Sequence, residues 1–195
     1  YAANQLGWFH DCCKPGDKQA NGLAEVKVGL ALEGTRRALL GAGLPACWWP
    51  HAARHFAFAS NVVMEDGDSS YNRRHARGHF DWPEIPFGAL VFFKPNLVDA
   101  KEFPKFGPDG IPGVFLGYYL YGGGKWARDG ASTGDYRVAA VSDFYSRDFS
   151  YWAKWSDSNV KVRRTSDISR WDASAFPLKE YYDWANNTLV GVTRQ

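Results

Sequence analysis

The residues best placed to do chemistry in this sequence lie in Asn21-Gly22-Leu23-Ala24-Glu25. Asn21 and Gly22 tolerate turn geometry, and the following residues run at helical spacing, so the stretch reads as a turn delivering Glu25 to the first turn of a long helix. The positive end of a helix dipole favours a carboxylate there. A carboxylate held rigidly is also what a hard divalent cation needs from one of its ligands. From the residues alone, Glu25 is either an ordinary first-turn acid or a metal ligand.

Other candidates have weaker patterns. His10, Cys12 and Cys13 lack the second spaced pair that a zinc site requires. His51 and His55 share a helix face but have no glutamate between them and no second ligand pair, which fits packing or capping rather than a metalloprotease motif. Gly122-Gly123-Gly124-Lys125 lacks the spacing and the Ser or Thr of a phosphate loop and reads as a hairpin tip. Two basic sets remain. Arg73, Arg74, His75 and Arg77 could meet phosphates or be a solvated linker, and Lys161, Arg163 and Arg164 form either a DNA-facing strand or edge-strand protection.

The elements that must position these groups follow from periodicity. Leu23, Val26 and Leu30, with Val28, Leu32 and Leu39 beside them, predict a long helix from Asn21 with a broad buried face, ending at Gly43-Leu44-Pro45. A second helix from about Trp48 to Val63, packing through Trp49, Ala52, Ala53, Phe56 and Ala59, completes a helical hairpin. Residues 64–85 turn first acidic and then basic and read as a linker. Beyond them the period becomes strand-like at Ala89–Lys94, Gly113–Leu120, Tyr136–Val141 and Val160–Arg164, which predicts a small closed antiparallel β-barrel over residues 86–168. Phe92, Phe93, Phe115, Tyr118 and Trp126 suit its core, and Tyr119 and Tyr121 its surface. The aromatic segment 169–195 is expected to pack on the barrel or on a neighbouring domain. The fold class is therefore α+β.

Composition narrows the functions. The chain has 195 residues, 45% hydrophobic and 16% aromatic, which argues against global disorder. Lys plus Arg number 23 against 21 Asp plus Glu, a net +2, so a uniformly basic nucleic-acid binder is excluded and local basic patches are allowed. Three cysteines, two of them adjacent, form no disulfide framework and fit a reducing intracellular setting. The apolar run Ala38–Ala53 is broken by Gly41, Gly43, Pro45 and Pro50, so no membrane span is expected. No targeting signal is visible, and the opening on Tyr1, with the one methionine at position 64, suggests a segment of a longer protein.

Several separated stretches together resemble the integrase of copia-type long-terminal-repeat retrotransposons, in the linker-rich style of dinoflagellate versions. That family's catalytic helix opens on Asn-Gly-(Val/Leu)-Ala-Glu, matched by Asn21–Glu25. Its later signatures are matched by Gly43-Leu44-Pro45 with Trp49, Ala52 and Asn61, by Pro86-Phe87-Gly88, by Lys105, Phe106 and Pro108, and by Pro112-Gly113-Val114-Phe115-Leu116-Gly117-Tyr118. The resemblance covers about Asp17 to Asp143.

The resemblance implies a ribonuclease-H-like core, of which residues 1–63 are the C-terminal part, followed by the linker, a barrel of the Src-homology-three type and a C-terminal extension. It implies that Glu25 is the third acid of a triad holding Mg2+ or Mn2+ during DNA strand transfer. The two aspartates of that triad belong on strands upstream, and only 24 residues precede Glu25, so this segment is expected to be inactive alone. The family follows its glutamate with Arg-Lys-Asn-Arg, whereas Val26-Lys27-Val28-Gly29 keeps only Lys27. Its DNA contacts would then move to Arg36, Arg37 or the linker, or the element is degenerate. Implied partners are double-stranded DNA of element ends and target, the rest of the polyprotein and, when intact, further copies of the chain, with action in the nucleus. The alternative is a non-catalytic nucleic-acid-binding or multimer-assembly module.

Overall fold

The computed structural model describes residues 22–76, 78–94, 110–127, 133–170 and 175–186. Helix α1 spans Gly22–Ala42 and helix α2 Trp49–Val62. The first ends in a Schellman turn, because Leu44 N–H donates to the Leu39 carbonyl and Gly43 N–H to that of Leu40. Gly43 has φ +69°, and a Cβ there would stand 2.5 Å from the Lys179 backbone, so both conformation and proximity require glycine. Pro50 begins α2 where no intrahelical N–H is needed.

Between helices and sheet, the acidic-then-basic interval forms local structure. Met64–Glu65 (β1) and Asp68–Ser69 (β2) pair across Asp66-Gly67, both at positive φ, as a primed hairpin turn requires. The Ser69 hydroxyl accepts the Asn72 N–H at 3.1 Å and so caps the short helix α3, Ser70–His75. Tyr118 then holds the following segment, donating to the Pro83 carbonyl and accepting the Ile85 N–H.

The mixed helix-and-sheet class is present as expected. Leu90–Phe93 (β3), Ile111–Tyr119 (β4), Asp135–Ala140 (β5), Arg163–Thr165 (β6) and Ile168–Arg170 (β7) form an antiparallel sheet in the order β6-β5-β4-β3-β7. Its two edge strands are joined by Ser166 and Asp167, yet among the described residues no ladder connects them and the sheet stays open, not closed as expected. The expected strand over Val160–Arg164 is displaced: Val160 enters the core and the ladder begins at Arg163. Two short helices, Trp155–Ser158 (α4) and Lys179–Ala185 (α5), complete the fold.

Strand β4 is buried on both faces. Val114 and Leu116 join Leu39, Ala42, Trp48 and Ala52 of the helical region, with Leu178 and Tyr182 of the α5 region, in one cluster. Phe115 faces Val91, Phe93, Trp126 and Val138 in a second cluster with Phe58. A bulge between Phe115 and Gly117 makes Leu116 the extra residue, so Tyr118 returns to the side of Phe115 opposite Tyr136. Gly117, at φ +115°, takes the backbone bend, and His55 of α2 lies directly over it.

Two packing expectations are corrected. Helix α1 has 21 residues and α2 only 14, so α1 is longer by roughly 10 Å at 1.5 Å per residue. Only Thr35, Leu39 and Ala42 of α1 are buried, whereas Leu23, Val26, Val28, Leu30 and Leu32 are 55–76% exposed. In α2 the buried residues are Ala52, Phe58 and Val62. Trp49 is exposed because the neighbouring Trp48 takes the core site, its indole N–H donating to Ser158 Oγ at 3.0 Å.

Candidate nucleic-acid interface

Glu25 lies exposed in the first turn of α1, as its sequence context requires. Among the described residues no group of three or more His, Cys, Asp or Glu side chains could hold a metal ion. Glu25 is the member of the expected triad that falls on described residues, and a two-metal centre needs further carboxylates beside it. Lys27 stands exposed two residues further along the same helix.

Four of the remaining cations expected at DNA are committed to other partners. Arg163 pairs with Asp143, and Arg164 with Asp135 and the Tyr121 hydroxyl, its guanidinium lying 4.1 Å above the Tyr119 ring. Asp135 first among its neighbours holds the Arg164 charge more firmly than usual. These contacts tie β6 to the β4–β5 hairpin and half-cover Tyr119 and Tyr121, which is a structural use of the charges. Arg37 donates to Glu33 at 2.9 Å with Arg36 also on that carboxylate at 2.6 Å, and Arg37 above all keeps Glu33 below the ordinary carboxylate range. Lys161 is exposed ahead of β6.

Arg73 and Arg74 are placed differently. Both line a cavity of about 670 Å3 between α2, α3 and the Gly122–Gly124 turn, together with Arg54, Asn61, Ser70 and His75. Its apolar lining is Ala57, Phe58, Tyr71 and Leu120, and it includes no carboxylate. Arg73 donates to Ser70 Oγ at 3.0 Å and stands 3.9 Å from Asp68. Arg54 and Arg74 have no ion-pair partner among the described residues. Tyr71 is fixed by ring contacts to Phe58, His75 and Phe80, and its hydroxyl accepts the Trp126 N–H.

The excess positive charge is felt nearby. Burial first, and then the charges of Arg137 and Arg54, hold the His51 ring down to about 4, and Arg54 likewise disfavours the charge on half-buried Arg137. His51 packs between Trp48 and Trp155 with Nδ1 buried and without a hydrogen-bond partner among the described residues, while His55 donates from Nε2 to the Ile85 carbonyl at 2.9 Å. Neither histidine belongs to a group of three or more metal-ligating side chains among the described residues.

Sequence reasoning reached Arg73, Arg74 and His75 but not Arg54, Asn61 or Tyr71 as members of one site. Arg54, Ala57, Phe58 and Asn61 recur at helical spacing and so predict one stripe of α2. That α3 would fold back to face this stripe depends on the Asp66-Gly67 turn and the Ser69 cap. No family model, curated protein or solved structure matches the chain.

Proposed function

We propose that this chain is a nucleic-acid-binding portion of a copia-type integrase, engaging the phosphodiester backbone through the face that bears Arg54, Arg73 and Arg74. The supporting observation is a concave surface with three arginines and a histidine and no lining carboxylate, in a chain whose net charge is only +2. Arg54 and Arg74, without an ion-pair partner among the described residues, leave positive charge that attracts polyanions and releases counterions on contact. The sheet order β6-β5-β4-β3-β7, with its edge strands joined by two residues but not laddered to each other, supports a part-open relative of the Src-homology-three barrel. The integrase assignment rests on the motifs running from Asn21-Gly22-Leu23-Ala24-Glu25 to Pro112–Tyr118.

The test is duplex DNA binding by the full chain over a range of salt concentrations. Three phosphate contacts predict a slope of log affinity against log salt of about −3. Replacing Arg54 and Arg74 together by alanine should flatten that slope by about 2. Absence of binding at low salt sinks the proposal.

The catalytic part of the reading gives Glu25 the role of third Mg2+ ligand once the upstream strands are present. Its support is the position of a solvent-facing carboxylate in the first turn of a long helix. In a polypeptide extended upstream, Glu25→Gln is expected to abolish Mg2+-dependent strand transfer while the far-ultraviolet circular dichroism stays that of the parent. Strand transfer by the Gln variant would remove Glu25 from the mechanism.

A further inference from the structure

The cavity between α2 and α3 differs from a surface suited only to the side of a duplex. Its volume of about 670 Å3 falls within the range of about 300–1,000 Å3 typical of small-molecule sites. Charge and apolar surface are combined within it: Arg54, Arg73, Arg74 and His75 supply cationic or hydrogen-bonding groups, and Ala57, Phe58, Tyr71 and Leu120 supply apolar wall. Asn61 adds an amide able to both donate and accept. Gly123 and Gly124 contribute no side chains, and nothing stands within 4 Å of where their Cβ atoms would be, so that side of the cavity is open.

A duplex presents its phosphates on a convex outer surface with its bases stacked inside. It can meet the arginines and leaves the apolar wall without a partner. An unpaired nucleotide carries both missing parts, a phosphate for the guanidinium groups and a flat base for the aromatic and aliphatic wall, with polar edges that one amide can read. We infer that the cavity formed by Arg54, Ala57, Asn61, Tyr71, Arg73 and Arg74 binds an unpaired nucleotide at a strand end or tail. This inference rests on the nucleic-acid reading above and adds which form of nucleic acid the site prefers.

The experiment compares the full chain's affinity for a short blunt duplex and for the same duplex extended by an unpaired tail, at one salt concentration. The tailed form should bind about tenfold more tightly, the gain expected of one stacked base. Tyr71→Leu removes the ring but also disturbs its core contacts. Ala57→Trp, at an exposed position, instead fills the apolar wall and should bring the ratio of tailed to blunt affinity to about one. Thermal unfolding of each variant checks that the fold persists.

Two competitors separate a strand end from its isolated parts. A nucleoside monophosphate should reduce binding of the tailed duplex at concentrations where inorganic phosphate has no effect. Equal affinity for tailed and blunt DNA, an unchanged ratio in Ala57→Trp, or equal competition by inorganic phosphate would each overturn the inference while leaving the binding of duplex DNA in place. No binding of either DNA would overturn the proposed function and this inference together.

Discussion

His51 shows how one side chain reports its surroundings. Burial, and then the charges of Arg137 and Arg54, lower its pKa from the ordinary imidazole value of 6.5 to about 4. The folded protein therefore binds fewer protons here than the unfolded chain over that interval. The contribution is fully retained above pH 6.5 and is lost as pH falls towards 4. The full shift would amount to about 3 kcal/mol, and the ring is partly exposed, so solvent screening reduces it to roughly 1–2 kcal/mol. His55 is shifted in the same direction by burial, against the Ile85 hydrogen bond, and adds to the loss. Urea midpoints measured at pH 7 and pH 5 should show lower stability at pH 5, with a smaller drop in His51→Phe. An unchanged drop in that variant would remove His51 as a source of the acid sensitivity.

At the scale of elements, α1 divides into two halves with different consequences for substitution. Leu39 is buried against the core shared with Val114 and Leu178, so Leu39→Ala should cost about 2–5 kcal/mol through lost contacts and a residual cavity. Leu30 has the same side-chain type but lies nine residues from Leu39, half a turn away in phase, and is 55% exposed. Leu30→Lys should change stability by less than about 0.5 kcal/mol. Denaturant midpoints of the two variants test this difference directly, and a large loss from Leu30→Lys would show that the face is covered in solution. Periodicity identified the apolar residues of α1. It could not identify which turns of α1 meet α2, because that depends on the relative lengths of two helices and on where the Schellman turn sends the chain.

For the whole molecule, the net charge of +2 gives little general attraction to nucleic acid, and the local distribution decides the field. Arg163 and Arg164 hold the sheet together through Asp143 and Asp135, whereas Arg54 and Arg74 leave positive charge uncompensated at the cavity, so the salt slope should follow the latter pair. Residue order alone made legible the two helices, the first beginning at Gly22, three of the strands and the aromatic core residues Phe93, Phe115, Tyr118 and Trp126, whereas Phe92, expected beside them, is only half-buried. Those features depend on local turn chemistry and on side-chain period, both written in neighbouring residues. Only the tertiary structure decided that the helices and β4 share one core, that the sheet stays open between β6 and β7, and that Arg164 rests on Tyr119. It also decided that Arg54 faces Arg73 and Arg74 across one cavity. The physical reason is that each of these depends on contacts between segments distant in sequence, set by the Gly117 bulge, the Gly43 turn and the capped helix α3, whose joint geometry no local pattern contains.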